Sequence, residues 1–330
     1  QVALTLALLV GAGLLIRTVH SLATIRPGYD TKNILTMSVT TVGTNYLGFH
    51  TAALDRVAEL PGVQAVAFGW GVPLTGNKWE MNLEIEGRPS PDGPLGGLNV
   101  PTRSVTPDYF PALGLKLIEG RAFRSSDDDS APWVAIINQA AVDRHFPGEN
   151  ALGRTLKFRG QTNLIEIVGI LVNTRTDTLA DAAEPELYLP FWQLGAFSKH
   201  LVVRTHGDPN RIAATVQREL RAIDPTVSVE NVRTLEEIRA DSVASRTFAM
   251  NLLVGFALVA CLLAVVGIYG VLSLAVGSRT TEIAIRMAVG AQRDDVFRLM
   301  LGDGIRLAAA GVGVGIAVAL ALAMGLKTFL

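Results

Sequence analysis

The stretch from Thr247 to Ser278 reads TFAMNLLVGFALVACLLAVVGIYGVLSLAVGS and contains no charged side chain. Arg246 and Arg279 bracket it. A helix rises about 1.5 Å per residue, so roughly 20 residues cross a bilayer core about 30 Å thick. The stretch is longer than this, and it therefore predicts a transmembrane helix that extends beyond the lipid at one end.

Two other runs without charged residues lie near the ends of the chain. One comprises Gln1–Ile16 and the other Leu307–Leu326. The first run lacks an initiator Met, a basic leader region and a cleavage site of small residues, which are the marks of a signal peptide. We therefore interpret it as a truncated transmembrane helix, and the second run as a further one. The sequence is accordingly predicted to be a fragment of a longer protein.

The composition is typical of a membrane protein that also has a large water-exposed part. Only 18% of the residues are charged and the mean hydropathy is +0.34, whereas about a quarter of the residues in soluble domains are charged. The net charge of −1 and the pI near 6.6 argue against a general nucleic-acid-binding protein, which carries a basic face. Cys261 is the single cysteine, which excludes an internal disulfide and a zinc site of paired cysteines.

The distribution of arginines predicts which side of the membrane each segment faces. Five arginines lie in or beside the short segment between the second and third runs: Arg279, Arg286, Arg293, Arg298 and Arg306. Short loops rich in arginine face the cytoplasm, whereas long loops are translocated largely regardless of charge. The long segment from about Thr24 to Ser245 is therefore expected outside. Four arginines near its ends weaken the count: Arg17, Arg26, Arg239 and Arg246.

The long segment contains two strand–helix–strand patterns. They comprise Ile34–Val42, Tyr46–Glu59 and Val63–Phe68, and then Leu201–Arg204, Asp208–Ile223 and Val227–Val232. Asp208 is predicted to cap the second helix, with Pro209 as its first residue. Two such patterns so far apart predict one α+β layer that is interrupted by an insertion.

The insertion is predicted to be a small domain of mixed secondary structure. Gly and Pro cluster in Gly87–Pro101, which predicts a flexible loop. A helix at Gln139–His145 and three strands are predicted after it, the strands at Trp133–Ile137, Thr155–Phe158 and Leu164–Leu171.

The sequence contains no motif for catalysis or metal binding. The patterns G-x-x-x-x-G-K-[ST], H-E-x-x-H and G-x-S-x-G are all absent. The five histidines lack the spacing of metal ligands: His20, His50, His145, His200 and His206. We interpret Asp127–Asp129 as a charged turn rather than as a cation site. The sequence thus predicts neither an enzyme nor a cofactor or metal site.

Residues 279–300 read RTTEIAIRMAVGAQRDDVFRLM and have the pattern of a short amphipathic helix followed by a turn. Glu282 precedes Arg286 by four residues, the favourable order for an ion pair on a helix. Ile283 and Met287 have the same spacing and would form an apolar stripe. Gly290 is a residue type that ends helices. This pattern alone fits either a helix lying on anionic lipid headgroups or a docking surface for a cytoplasmic partner.

The run Glu282–Ala291, EIAIRMAVGA, resembles the coupling-helix signature of MacB/FtsX/LolC-type ABC transporter permeases. The similarity extends over nearly the whole chain and includes a MacB-like periplasmic core domain and an FtsX-like permease domain. The chain resembles duplicated permeases of this family, in which such a module occurs twice. Further segments that resemble the family are Pro27–Asp30, Asn33–Met37, Leu60–Val63, Val72–Thr75, Val105–Phe110, Leu113–Gly114, Glu119–Arg121, Ile137–Asn138, Phe146–Gly148, Leu152–Gly153, Ile167–Ile170 and Pro185–Pro190.

The resemblance implies an α-helical membrane protein with an α+β periplasmic domain, in which porter-like βαβ units carry an inserted, sabre-like mixed α/β subdomain. The resemblance also implies a fourth transmembrane helix after Leu330, so that the sequence is expected to be truncated there. The implied segments are a truncated transmembrane helix at 1–23, a porter-like subdomain at 24–73 and 196–240, a sabre-like subdomain at 74–195, a long transmembrane helix at 241–278, a cytoplasmic coupling helix and loop at 279–298, and a transmembrane helix at 299–330.

The resemblance also implies a function in the bacterial inner membrane. The chain is expected to be the permease subunit of an ABC transporter that couples ATP hydrolysis by a separate cytoplasmic ATPase to movement of the periplasmic domain, for export of a drug, peptide or lipid-linked substrate. Expected partners are that ATPase, a second permease module, the lipid bilayer and a periplasmic membrane-fusion protein. The ATPase-docking residues are expected to be Glu282, Ile283, Ile285, Arg286, Met287, Ala288, Gly290 and Ala291. The alternative is a membrane-anchored sensor or regulator of cell-envelope enzymes that transports nothing.

Overall fold

The computed structural model describes residues 25, 27–41, 45–76, 79–88, 98–159, 163–176, 179, 181–194 and 199–278, together with residues 13, 16, 17, 309 and 313. These residues belong to two compact units. One unit comprises Ile25–Ser242, and the other comprises Gln1–Thr24 with Val243–Leu330.

The described residues form eleven strands and six helices. The strands are β1 (Ile34–Thr40), β2 (Val63–Gly69), β3 (Glu80–Ile85), β4 (Leu98–Val105), β5 (Leu117–Gly120), β6 (Trp133–Asn138), β7 (Thr155–Phe158), β8 (Leu164–Leu171), β9 (Leu187–Pro190), β10 (His200–Thr205) and β11 (Ser228–Thr234). The helices are α1 (Tyr46–Ala58), α2 (Tyr109–Leu113), α3 (Gln139–His145), α4 (Phe191–Leu194), α5 (Asn210–Ile223) and α6 (Leu235–Ser278).

The two predicted strand–helix–strand patterns meet in one antiparallel layer. Its strand order is β11-β1-β10-β2. Strand β10 of the second pattern therefore lies between β1 and β2 of the first, and β11 lies on the other side of β1. Helices α1 and α5 bury residues one helical turn apart, Ala53 with Val57 and Val216 with Leu220, in one cluster with the apolar residues of these strands. The predicted strands and helices of both patterns are thereby confirmed.

Six other strands close into a ring. Their order is β4-β3-β7-β8-β6-β9, and parallel pairing of β9 with β4, from Thr102 opposite Leu187, completes the circle. All six strands contribute to one hydrophobic cluster. In β8 the alternation of exposed Leu164 and Glu166 with fully buried Ile165 and Ile167 has the period of two that a strand requires. The strands and the helix predicted for this region are confirmed.

Two predicted boundaries were wrong. The loop predicted at Gly87–Pro101 ends earlier, because β4 begins at Leu98; β3 pairs with β4 as far as Pro101, and β9 pairs with it from Thr102. Pro101 is the last residue of β4 that pairs with β3 and lies just before the pairing with β9 begins, and proline, which has no backbone N–H, is tolerated at such an end of a ladder. Helix α5 begins at Asn210, one residue after the predicted Pro209, but Asp208 Oδ1 accepts a hydrogen bond from Asn210 N, as the predicted cap requires.

Helix α6 contains the apolar segment Thr247–Gly270. Among the described residues, it is the one helix with a segment long and apolar enough to cross a membrane. Of the other two predicted spans, Gln1–Ile16 and Leu307–Leu326, only residues 13, 16, 309 and 313 are described. Their membrane topology stays a prediction, as does the division of the chain into porter-like, sabre-like and transmembrane segments.

Candidate functional site

The predicted ATPase-docking residues, Glu282 to Ala291, lie outside the described residues. The structure instead describes α6, the helix that precedes them in the sequence, and the way in which this helix begins.

The start of α6 has a reciprocal cap. Glu237 N donates to Thr234 Oγ1 at 3.2 Å, and Thr234 N donates to Glu237 Oε2 at 2.9 Å. This arrangement is a capping box, which provides partners for two backbone N–H groups that the first turn of a helix leaves unpaired. It fixes the residue at which β11 ends and α6 begins.

The first turn of α6 is also anchored in a hydrophobic core. Leu235 is fully buried and Ile238 is 8% exposed, and both belong to the cluster that includes Tyr109 and Tyr188. Burial of one such aliphatic side chain contributes about 1.5–3 kcal/mol. In addition, Arg239 Nη2 donates to Ile25 O at 3.3 Å. The first turn is therefore held by apolar packing, by its cap and by a link to the segment that begins the unit.

A cleft of about 440 Å³ lies beside this first turn, and all of its lining residues fall within Ile25–Ser242. Its apolar wall consists of Met37, Val72, Leu74 and Ile238. Arg233 and Asp241, which form an ion pair, supply charge of both signs. Hydroxyl, amide and imidazole groups complete the lining, from Thr36, Ser38, Thr75, His200, Asn231 and Ser242. The cleft thus combines an apolar face with groups that form directed hydrogen bonds.

The loop on one side of the cleft has a backbone conformation that side chains disfavour. Leu74 has φ of +68°, in the left-handed region that costs an L-residue roughly 1–2 kcal/mol. Two hydrogen bonds hold it, one to a distant segment and one within the loop: Leu74 N donates to Thr176 O, and Thr75 Oγ1 donates to Val72 O at 2.7 Å. The surrounding structure therefore imposes this conformation on the loop.

The opposite side of the cleft contains a β-bulge. Thr36 lies opposite Arg233 and Ser38 opposite Glu230, so two residues of β11 face Met37 alone. Asn231, one of the two, has φ of +52°. Bulges of this kind redirect side chains at sheet edges, and here the bulge brings Asn231 and Arg233 to the cleft.

His200 is one of the lining residues of the cleft and is a neutral imidazole at neutral pH. Gly71 N donates to His200 Nδ1 at 3.1 Å, so this nitrogen acts as an acceptor. Burial lowers the pKa of His200 from its ordinary value of 6.5; a hydrogen bond to the backbone of Gly69 opposes this, and the charges of Arg103 and Lys199 add to it. At neutral pH the ring therefore contributes a hydrogen-bond acceptor and no charge.

A buried ion pair lies behind the loop. Arg103 Nε donates to Glu186 Oε1 at 3.3 Å, and the two side chains are 6% and 2% exposed. Glu186 also accepts from Thr174 Oγ1 at 2.7 Å, from Thr176 Oγ1, and from Tyr188 OH at 2.8 Å. Burial works to lower the pKa of Arg103, but the charge of Glu186 and the neighbouring groups together raise it above its ordinary value. Arg103 therefore stays charged inside the unit.

This polar cluster connects the closed ring of strands to the cleft loop. Arg103 Nη1 donates to Trp70 O at 3.2 Å, and Tyr109 OH donates to Gly71 O at 3.3 Å. Burial raises the pKa of Tyr109 to about 12, so its hydroxyl remains a donor. Arg103 belongs to β4, whereas Trp70 and Gly71 lead into the loop, so side chains of the ring position the backbone of the cleft.

Residues 2–241 match the family described as the MacB-like periplasmic core domain. The chain belongs to this family. Residues 254–328 match the FtsX-like permease C-terminal family. The unit Ile25–Ser242 is hereafter called the MacB-like domain.

Several transport proteins are similar in sequence. The macrolide export ATP-binding/permease protein MacB of Neisseria gonorrhoeae is 27% identical over 215 residues, which cover 63% of this chain and 33% of that protein. The pyoverdine export ATP-binding/permease protein PvdT of Pseudomonas putida is 25% identical over 276 residues, covering 78% and 39%. The uncharacterized ABC transporter permease YvrN of Bacillus subtilis is 27% identical over 223 residues, covering 63% and 54%. The chain thus spans from about a third to about half of these relatives.

Two solved structures resemble the MacB-like domain at low sequence identity. The periplasmic region of MacB from Actinobacillus actinomycetemcomitans aligns at 14% identity with a TM-score of 0.47, covering 67% of this chain and 97% of that one. The extracellular domain of the noncanonic ABC-type transporter YknZ from Gram-positive bacteria aligns at 17% identity with a TM-score of 0.41, covering 59% and 100%.

The charged segment Asp127–Asp129 of the MacB-like domain holds a specific ion pair. Arg121 Nη1 and Nη2 donate to the two carboxylate oxygens of Asp127 at 2.7 and 3.0 Å. Burial works to raise the pKa of Asp127, but the hydrogen bonds from Arg121 and from Arg124 N lower it below its ordinary value. The described residues contain no cluster of three potential metal ligands. The carboxylate is therefore engaged by arginine in a structural contact that the sequence pattern did not indicate.

The sequence contains a signal for one of the features that sequence reasoning missed. Thr234-x-x-Glu237 before an apolar run is the pattern of a capping box. The Arg103–Glu186 pair has no such local signal, because its partners are 83 residues apart in the sequence.

Proposed function

We propose that the chain is the permease module of an ABC transporter, in which ATP hydrolysis by a separate cytoplasmic ATPase moves the MacB-like domain. Membership of the MacB-like family supports this proposal, as does the match of residues 254–328 to FtsX-like permeases. The similar MacB and PvdT proteins are named as exporters that combine ATP binding with a permease.

The start of α6 is the observation that carries the proposal. The helix begins inside the core of the MacB-like domain, where the cap and Leu235 fix its first turn, and it includes the apolar segment Thr247–Gly270. A helix is stiff along its axis, since every residue is tied to the next turn by hydrogen bonds. A force applied at its far end would therefore be transmitted to the domain.

The cytoplasmic segment that follows in the sequence is proposed to receive this force. In Glu282–Ala291, Ile283 and Met287 would insert into a groove of the ATPase, and Arg286 would form the charged contact. The remaining residues proposed to line the docking surface are Glu282, Ile285, Ala288, Gly290 and Ala291.

The proposal includes a membrane layout and partners. Gln1–Ile16 and Leu307–Leu326 would also cross the inner membrane, with the MacB-like domain in the periplasm. A second permease module, in the same chain or in another, would complete the transporter, and a periplasmic membrane-fusion protein would extend it outward. The chain itself would catalyse no reaction.

Cysteine cross-linking tests the docking. In a Cys261→Ala background, Met287→Cys is co-expressed with each ATPase that is encoded beside the gene, and the ATPase carries a cysteine in its permease-facing groove. We expect an adduct whose yield changes between ATP and nucleotide-free conditions, because nucleotide binding rearranges ATPase subunits.

A matched variant controls for random collision. Phe248→Cys places an exposed cysteine on α6 at the end of the apolar segment nearer the MacB-like domain, and it should form no adduct. Equal adducts at both positions, or none at Met287 with any neighbouring ATPase, would overturn the docking and favour a sensor without transport.

A further inference from the structure

We propose that the cleft beside the first turn of α6 binds a zwitterionic small molecule with an apolar side chain, of the size of a dipeptide. The inference concerns the MacB-like domain alone and does not depend on any ATPase. It rests on the charges, the apolar wall and the imposed backbone conformations of this one cleft.

The size of the cleft fits a small molecule. Its volume of about 440 Å³ lies in the lower half of the range of about 300–1,000 Å³ that is typical of ligand pockets. An extended polypeptide would need a longer groove. A dipeptide with two aliphatic side chains has the dimensions that such a space accepts.

The charges of the cleft complement a zwitterion. Arg233 Nη2 contacts Asp241 Oδ2, and the two side chains remain 39% and 63% exposed. An exposed ion pair contributes little to stability because water screens it, so a ligand displaces it at low cost. A ligand carboxylate on Arg233 and a ligand ammonium on Asp241 would replace one ion pair by two, whereas a singly charged ligand would leave one protein charge without a partner.

The uncharged lining selects for an apolar side chain. Met37, Val72, Leu74 and Ile238 supply the apolar part of the lining, and Ile238 belongs to the core cluster that also holds the first turn of α6. His200 adds no charge at neutral pH, because burial lowers its pKa. The net charge of the lining is therefore zero, which disfavours ligands with an excess of either sign.

Two walls of the cleft are held in disfavoured backbone conformations. The described residues include three non-glycine residues with positive φ, namely Asn33, Leu74 and Asn231, and two of these three line the cleft. Strain of this kind persists where the surrounding structure imposes it, and it concentrates at ligand-binding sites. Asn231 Nδ2 donates to Ser38 Oγ at 3.4 Å, a long contact that a ligand oxygen could replace.

Calorimetric titration of the full chain in lipid nanodiscs, without ATPase, tests the proposal with three probes. L-leucyl-L-leucine carries both charges and both apolar side chains, and it should bind saturably. Diglycine keeps the charges without the side chains, and N-acetyl-leucyl-leucinamide keeps the side chains without the charges. Each of these should bind at least about tenfold more weakly. Absence of saturable dileucine binding, or equal binding of the capped probe, would overturn the proposal.

Variants locate the binding within the molecule. Arg233→Gln and Asp241→Asn should each weaken dileucine binding at least about tenfold, whereas Lys157→Gln, which breaks the Lys157–Glu84 pair elsewhere, should leave it unchanged. Ser242→Trp fills the cleft from the exposed side of α6 without altering a charge, and it should abolish binding. Since Ser242 is exposed, this variant should fold normally. It therefore tests whether the ligand binds in the cleft even if the charge variants fold poorly. Full binding by Ser242→Trp would place the ligand elsewhere and refute the inference.

Discussion

Thr234 and Glu237 cap each other: the backbone N–H of each residue donates to the side chain of the other, at 2.9 and 3.2 Å. The pair stands at the point where the last strand of the MacB-like domain becomes the helix that contains the apolar segment. The same turn inserts Leu235 into the domain core. The capping box thus fixes the first residue of α6, the helix that is proposed to transmit movement.

Removing this cap should loosen the first turn of α6. Thr234→Ala deletes one acceptor, and loss of an N-cap typically costs about 0.5–2 kcal/mol. Hydrogen exchange of the peptide that contains Leu235 and Glu237 should therefore accelerate by about 2- to 30-fold, the factor to which that free energy corresponds. Thr51→Ala is the matched control, because Thr51 is exposed and its Oγ1 donates to Leu47 O within α1. Equal acceleration by the control in its own helix would show that the cap has no special role.

Breaking the Arg103–Glu186 pair should destabilise the MacB-like domain strongly. Arg103→Met leaves Glu186 buried without its counter-charge, and loss of one partner of a buried ion pair costs about 3–5 kcal/mol. Thermal or denaturant unfolding of the full chain measures this cost. Lys157→Met removes one partner of the more exposed Lys157–Glu84 pair and should cost at most about 1 kcal/mol. Similar costs for the two variants would mean that water reaches Glu186.

The parts of the fold with local periodicity were predictable from the sequence. The alternation in β8 and the spacing of apolar residues in α1 and α5 gave those elements within a few residues. The closed ring of strands was not predictable, because closure depends on the pairing of β4 with β9, whose residues are far apart in the sequence. The cleft was missed for the same reason, since it combines residues from β1, the Val72–Thr75 segment, β11 and α6. The predicted coupling segment rests on a sequence pattern alone.

Two glycines with the same backbone conformation should differ in their tolerance of alanine. Gly28 and Gly62 have φ of +88° and +89°, but a Cβ at Gly28 would collide with Asn173 O, whereas a Cβ at Gly62 would meet no atom within 4 Å. Gly62→Ala should therefore lower the free energy of unfolding only by the cost of a side chain in the left-handed conformation, roughly 1–2 kcal/mol. Gly28→Ala should cost a further 1–3 kcal/mol or so, because a backbone oxygen cannot move aside as a side chain does. Unfolding midpoints of the two variants measure the difference, and equal midpoints would contradict the close approach of Gly28 to Asn173.

Acid should destabilise the MacB-like domain partly through His200. Burial lowers the pKa of this histidine below its ordinary 6.5, so the folded state favours the neutral ring more than the unfolded state does. The corresponding stability is fully present above pH 6.5 and is lost as the pH falls through the lowered pKa, by at most about 1.4 kcal/mol per pH unit for one group. His200→Gln should reduce the slope of stability against pH in this range.

The control for His200 must separate it from the other histidines. His145 also has a pKa that burial lowers, so His145→Gln should change the slope with the same sign. A slope in His200→Gln that matches the parent chain would show that His200 is hydrated in both states.

The orientation of the chain is the prediction on which the transport proposal depends most. In a Cys261→Ala background, Gln292→Cys should escape a membrane-impermeant maleimide in cells whose outer membrane has been permeabilised, because Gln292 lies in the segment predicted to face the cytoplasm. Ser125→Cys, on an exposed turn of the MacB-like domain, should be labelled in the same cells and shows that the reagent has access. After lysis both cysteines should react. Labelling of Gln292→Cys before lysis would place the segment outside the inner membrane, where no ATPase is available. No ATPase could then move α6, and the transport proposal would be wrong.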